Sequence, residues 1–317
     1  MKRALSALLI FVAIFGLTAA AVASPVFLDM GTGSVGGTYY PVGSAMVVIW
    51  NRVIPDIRAS VQSTGGTAHN LALMLNGDVE IATMDGLHYL AFHGMGPFEG
   101  NPHTHLRGLV PMYPEPIHLV VAEGSGITSI RDLPGRNVVI GAVASGTEFT
   151  VRTLLNDVLG ICPDNDIRAQ NLSMAETASA FADRQIDAAF MLGALGTSSI
   201  MEVTTMGTGH IIPIEDDIVE ALHEALPYFT PYTIPANSYP GQTEEIRTAA
   251  APNIVAIHKD VPEDLVYYMT RALFDHRDEI ISVAVAMEYM TVERVNIIEI
   301  PLHPGAERFY RSVGALQ

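Results

Sequence analysis

The chain predicts an α/β fold of two lobes, and three observations carry that prediction. Short runs rich in β-branched residues alternate with helix-period segments from residue 26 onward. The alternation pauses near residue 113, where "YPEPIHLVVAEG" joins two prolines to a long apolar run, and then begins afresh. A length of 317 residues with 49% apolar composition fills about two domains. Residues 24–115 with 255–317 are assigned to lobe 1 and residues 116–254 to lobe 2, with strand crossings near 115 and 255 and a ligand cleft between the lobes.

The opening segment "MKRALSALLIFVAIFGLTAAAVAS" sets Lys2 and Arg3 before an apolar run and ends on the small-residue pattern Ala21-Val22-Ala23. Residues 1–23 therefore read as a cleaved signal peptide, and the mature chain as exported across the inner membrane. The only cysteine, Cys162, lies far from that point, so neither a lipid anchor nor an intramolecular disulfide is expected. A small buried residue is its expected role.

In lobe 1 the expected strands are "VFLDM", "RASVQS", "VEIATM" and "LRGLVPM", with helices "YYPVGSAMVVIWNRV" and "TAHNLALMLNG" between them. Gly77 closes the second helix as a stop signal. Lobe 2 reads as strand "NVVIGA", helix "TEFTVRTLLNDVLG", strand "IRAQNL", helix "AETASAFADRQ", strand "IDAAFML" and a helix from about Leu195. The proline-rich "LPYFTPYTIPANSYPGQ" is expected to be irregular. "NIVAIHKDV" then reads as a strand, and "PEDLVYYMTRALFDHRDEIISVAVAMEYM" as one long helix with Pro262 in its first turn.

The formal charge of −17 becomes −19 once Lys2 and Arg3 leave, and Lys259 is the only lysine beyond residue 23. A nucleic-acid partner needs a basic face, which this balance excludes. Any anion site must be local and built from oriented dipoles, because bulk charge repels anions within the roughly 8 Å screening length.

Gly31, Gly33 and Gly36 in "GTGSVGG" match the spacing of a dinucleotide fingerprint. That fingerprint also requires an acidic residue after the next strand. Asp56 precedes the strand "RASVQS", and the strand ends in "STGGTAHN", a second glycine turn. The dinucleotide reading is therefore rejected, and no cofactor is expected. Strand, small polar turn and helix recur three times, at "GSVGGTYYP", "STGGTAHN" and "VASGTEF". Free N–H groups at a helix N-terminus bind carboxylate or phosphate. Glycine permits close approach, and Ser34, Thr38, Thr64, Thr67, Ser145 and Thr147 add hydroxyl donors.

In order, "GSVGGTYYPVG", "TGGTAHNL", "GDVEIATMD", "YPEPIHLVV", "SGITSIRDLPGRNVVIG", "SGTE", "IDAAFMLGALG", "YTIPANSYPGQ" and "IPLHPGAERFYRSVG" resemble the TAXI family of extracytoplasmic solute receptors. Members of that family serve tripartite ATP-independent periplasmic (TRAP) transporters. The resemblance covers about residues 26–317, although the segment around "IRDLPGRNVVIG" is shared widely among type II periplasmic binding proteins. It implies a type II periplasmic-binding-protein fold, two α/β lobes around a ligand cleft. The chain would be a periplasmic monomer without catalysis, binding glutamate, glutamine, a 2-oxoglutarate-like acid or another dicarboxylate and delivering it to TRAP permease subunits.

Carried over by position, the family's ligand loops fall on Gly33, Ser34, Gly36, Gly37, Thr38, Tyr39 and Tyr40; on Thr64, Gly65, Gly66, Thr67 and Asn70; and on Asp85. In lobe 2 they fall on Ser145, Gly146 and Thr147 and on Gly193, Ala194 and Leu195. Thr83-Met84-Asp85 stands where many relatives read glutamine-serine-aspartate, and the "GALG" loop lacks a proline often found there. The alternative is a receptor of the same fold serving an ABC importer for a sulfonate, phosphonate or thiamine precursor.

Asp85 ends a strand, where its carboxylate either caps the next helix or meets the ammonium of an amino acid. His88, His93, His103 and His105 have no spacing that completes a metal set, so they read as ordinary surface or loop histidines, and "FEGNPHTHLRG" as a mobile surface loop. Ser125 in "EGSGI" lacks the G-x-S-x-G context of a hydrolase nucleophile.

Overall fold

A computed structural model describes residues 25–55 and 57–316. The expected signal peptide and Asp56 lie outside the described residues. Parallel strands β1 (Val26–Gly31), β2 (Ile57–Gln62) and β3 (Ile81–Met84) alternate with helices α1 (Tyr39–Val53), α2 (Thr67–Asn76) and α3 (Leu87–His93). Gly77 ends α2 in the left-handed conformation, the stop the sequence predicts. Trp50 of α1 is fully buried and donates its indole N–H to the Met269 carbonyl at 3.0 Å, which ties the first helix to the C-terminal part of the chain.

β4 (Leu106–Ala122) is a single strand of 17 residues that continues through Pro111, Pro114 and Pro116. The first half pairs antiparallel with β10 (Ile246–His258), and the second with β7 (Ala188–Leu192) and β8 (Gly209–Ile212). The register shifts between Pro252 and Ile254, a bulge that accommodates prolines unable to donate to the ladder. β10 in turn joins β3 at Ile254–Ile257. The main path of the ten-stranded sheet runs β2-β1-β3-β10-β4-β7-β5-β6, with two strands branching off it and with β5 (Asn137–Val139) and β6 (Arg168–Gln170) parallel at the far edge. Thus β4 and β10 both run from one group of parallel strands into the other.

In the second group, α4 (Gly146–Arg152) continues as a π-helical turn through Thr153–Val158. α5 (Met174–Ala182), α6 (Ser198–Thr205) and α7 (Asp216–Ala225) follow. α6 starts three residues after Leu195, so "GALG" is a turn and not a helix start. The proline-rich segment contains β9 (Thr230–Ile234), which pairs with β10. Pro231 is tolerated because β9 is a mostly exposed flanking strand.

The expected long C-terminal helix is broken into α8 (Glu263–Asp275) and α9 (Arg277–Val283), followed by a 3₁₀ turn at Val285–Tyr289. The break lies at His276, where φ is −116°. Arg277 donates from Nε to the Met290 carbonyl at 2.6 Å, and Arg52 of α1 holds Glu279 at 2.7 Å. Both α8 and α9 contact α1, and these bonds fix the direction of α9 after the break. The chain ends in α10 (Pro304–Ser312), where His303 caps Gly305. Among the described residues no helix is long and apolar enough to cross a membrane.

Candidate ligand site

The site is assembled from three strand-to-helix turns. Beyond β1, the Gly37 N–H bonds the Ser34 carbonyl at 3.0 Å, and the chain enters α1 through Thr38, whose side chain makes no capping bond. Beyond β2, the turn enters α2 through Gly66, which is also without a side-chain cap. Gly66 has φ +112° and ψ −156°, a conformation that glycine adopts without steric cost. Helix geometry leaves the first-turn N–H groups of both helices without intrahelical partners. In the other strand group, Ser145 caps α4 by accepting the Glu148 N–H at 3.0 Å, and Gly146 and Thr147 begin the helix.

These turns meet around one cavity of about 70 Å³, room for roughly five waters or one small solute. Of the expected residues, Gly33, Ser34, Gly37, Thr38 and Tyr39 line it from the first turn, and Gly65, Gly66 and Thr67 from the second. Asp85 lines it beyond β3, and Ser145, Gly146 and Thr147 do so from α4. The turns touch directly across the cleft: the His69 N–H bonds the Ala144 carbonyl at 2.9 Å, and Thr38 Oγ1 lies 2.8 Å from Thr197 Oγ1. A Cβ added at Gly146 would collide with the Asp85 carboxylate. Glycine there lets the Asp85 side chain, which follows β3, press onto the start of α4.

Seven expected residues are placed elsewhere, each for a local reason. Asn70 is fully buried and donates to the carbonyls of Thr32 (2.7 Å) and Thr83 (2.9 Å), while it accepts from Thr64 Oγ1 (2.7 Å). Asn70 and Thr64 therefore tie the first two turns to the end of β3 and have no donor left facing the cavity. Tyr40 follows Tyr39 by one helical step and faces a surface groove beside Pro41, Ser44 and Val48. The Gly36 carbonyl accepts from Ser198 Oγ (3.0 Å) and Ser199 Oγ (3.1 Å), which makes it a contact between lobes. Gly193 packs on Thr197 and Met174, the Ala194 carbonyl accepts from Thr197 Oγ1 at 2.7 Å, and Leu195 packs on the second apolar core.

Leu192 and Met174 supply the apolar lining in place of that loop, and Glu115 joins them as an unforeseen member. Glu115 is the only carboxylate in β4. A carboxylate inside an otherwise apolar strand is the sequence signal that could have found it.

Asp85 is 7% exposed and Glu115 6%. Burial raises the Asp85 carboxyl to about 6, against hydrogen bonds from the Leu87 N–H and the Thr67 hydroxyl that lower it. Asp85 Oδ1 does accept that N–H at 3.0 Å, so the capping role is present, and the same carboxylate also faces the cavity. Burial, and then the charge of Asp85, holds Glu115 well above the usual carboxylate range, with the Asn253 amide opposing. Tyr39 bonds Asn253 Oδ1 through its hydroxyl, and burial holds its phenol protonated. Among the described residues no arginine, lysine or histidine lines the cavity.

Of the four histidines, His93 is exposed and His103 and His105 lie in the loop before β4, as the sequence reading has it, whereas His88 departs from that reading. His88 is fully buried, with Nδ1 2.6 Å from the Asp85 carbonyl, and burial lowers it to about 4. His103 is buried against Phe98 with ring centroids 5.1 Å apart, so the "FEGNPHTHLRG" segment is anchored at its middle. Cys162 is only partly buried. Among the described residues no three histidine, cysteine or acidic side chains are placed to hold a metal ion.

Strands in this order, with the long paired strands β4 and β10 joining two groups of parallel strands, define the type II periplasmic-binding-protein fold. The chain belongs to the NMT1-like family, whose model matches residues 30–314. A Listeria monocytogenes structure described as a putative L-cystine ABC transporter is 14% identical over 84% of this chain and 98% of that one, with a TM-score of 0.51. A Xanthomonas citri protein bound to ATP is 12% identical over 91% and 96%, with a TM-score of 0.50. The alkanesulfonate-binding protein SsuA from Xanthomonas axonopodis pv. citri, bound to MOPS, is 14% identical over 92% and 85%, with a TM-score of 0.48.

Proposed function

We propose that the protein is an exported solute receptor. It closes residues 24–115 with 255–317 onto residues 116–254 around a small organic acid, and hands that solute unchanged to a membrane transporter. The observation that carries this reading is the convergence of three helix starts, from both strand groups, on one cavity, with α1 and α2 lacking side-chain caps. A helix terminus contributes about 0.3 to 1 kcal/mol toward an anion, and a hydrogen bond to a charged group about 1.5 to 3 kcal/mol. Four or five such contacts, less the cost of closure, reach the roughly 8 kcal/mol of micromolar binding without an arginine. A solute that touches both lobes favours the closed arrangement by its differential affinity for that state.

The NMT1-like match and the ABC-transporter component that shares the fold favour service to an ABC importer. The motifs "GSVGGTYYPVG" and "IPLHPGAERFY" favour the second reading, a TAXI receptor of a TRAP permease. Reconstitution with each neighbouring permease separates the two: uptake that needs ATP supports the first, and uptake driven by a sodium gradient without ATP supports the second. The receptor reading itself is tested by denaturing the purified protein and identifying the released solute by mass spectrometry. A small carboxylate that incubation leaves chemically unchanged is expected, and conversion of the solute would refute the reading.

A further inference from the structure

We infer that Asp85 and Glu115 together form a cation subsite in the cavity, which takes the ammonium group of an amine-bearing acid and discriminates against acids without one. This rests on the proposed reading of the cavity as the ligand site. Both carboxyl groups are more than nine-tenths buried and both line the cavity, from separate elements. Asp85 follows β3, while Glu115 stands in β4 opposite Ala251, where the two long strands pass between lobes.

The protein neutralises neither. Asp85 accepts one backbone N–H and faces the Thr67 hydroxyl, Glu115 faces the Asn253 amide, and no cationic side chain lines the cavity among the described residues. The remaining titratable neighbours are Tyr39, Tyr113 and Tyr228, all held protonated by burial, and His88, held neutral. The buried Tyr113 hydroxyl faces Thr38 yet completes no hydrogen bond, leaving an unpartnered polar group beside the pair.

Buried charges are stable when paired, and an isolated one is costly. Two carboxyls over one small cavity therefore relieve each other by keeping a proton, or by accepting a cation from the ligand. The helix starts are suited to the opposite end of that ligand, its carboxylate. A solute that satisfies both ends carries an ammonium and a carboxylate a few bonds apart, as amino acids do. A dicarboxylate or oxo acid of the same length places an oxygen against Asp85 and Glu115 and meets repulsion.

The test is calorimetric titration of the mature protein at pH 7.5 with matched pairs: L-glutamate and 2-oxoglutarate, L-aspartate and succinate, L-alanine and pyruvate. In at least one pair the amine is expected to bind 100-fold or more tighter than its partner. Glu115→Gln and Asp85→Asn, each checked for native circular dichroism, are expected to narrow that ratio at least tenfold. Equal or tighter binding of the acid without an amine in every pair that binds would overturn the inference and leave the receptor reading standing. A ratio unchanged in both variants would overturn it likewise. No binding by any of the six would overturn the small-acid reading along with it.

Discussion

Replacing Asp85 by asparagine separates the stability of the empty protein from its affinity for ligand. The folded protein raises the Asp85 carboxyl from 3.8 to about 6, chiefly through burial. A carboxyl whose folded value is raised stabilises the fold fully below its ordinary value, and that contribution is lost as pH rises through the folded value. A shift of about two units corresponds to roughly 3 kcal/mol, at about 1.36 kcal/mol per unit. At pH 7.5 the ligand-free wild type therefore carries the whole cost of a buried, uncompensated carboxylate. Asparagine removes the charge while its amide oxygen still accepts the Leu87 N–H that Asp85 bonds at 3.0 Å.

Ligand-free Asp85→Asn should accordingly melt above the wild type at pH 7.5, by about 6 °C at the lower end of the usual conversion for larger domains. The gain should shrink steadily toward pH 4. Differential scanning calorimetry of both proteins from pH 4 to 8 reads this directly: the difference cancels the groups that do not sense Asp85, while Glu115, which its charge raises, relaxes in the variant and adds to the gain. A variant that melts below the wild type at pH 7.5, or a difference that does not change with pH, would refute the argument.

Other outcomes follow from the same contacts. Gly146→Ala places a methyl group against the buried Asp85 carboxylate, so ligand binding should fall at least 100-fold, with native circular dichroism retained and the ligand-free protein destabilised by an overpacking cost of about 1 to 3 kcal/mol. Asn70→Ala leaves the Thr32 and Thr83 carbonyls without the amide that joins them, and should cost about 2 to 4 kcal/mol in urea unfolding. His88 and His118 are both lowered to about 4 by burial, so their stabilising contribution is complete above the ordinary value of 6.5 and is lost as pH falls toward 4. A circular-dichroism acid titration should show His118→Gln, which lacks that proton uptake, losing less stability between pH 6.5 and 4 than the wild type. Affinity for an amino acid should also weaken as pH falls below about 6, because protonated Asp85 no longer attracts an ammonium; a plain dicarboxylate should show the opposite trend.

The cradles were legible because glycine, serine and threonine before a helix are demanded by backbone geometry, whatever surrounds them. Tyr39 and Tyr40 show where that legibility ends: adjacent residues on a helix point about 100° apart, and only the packing of α1 decides which one faces the cavity. Thr64 and Asn70 carry the same donors as ligand residues, yet the carbonyls of Thr32 and Thr83 claim them first. Glu115 was hidden by its setting, since the prolines around it read as an interruption when they lie in one strand spanning both lobes. β9 was missed for the related reason that an edge strand tolerates proline. The break at His276 depends on Arg52 and Met290, partners too distant in sequence for any local pattern to reveal.

The most direct measurement of the central claim is a thermal-shift screen of the mature protein against amino acids, oxo acids and dicarboxylates at pH 7.5. A ligand at 100 times its dissociation constant stabilises by about 2.7 kcal/mol, a shift of several degrees. The account predicts such a shift from at least one small acid that carries an amine, and its disappearance in Gly146→Ala. No shift from any acid, or an undiminished shift in that variant, would contradict it.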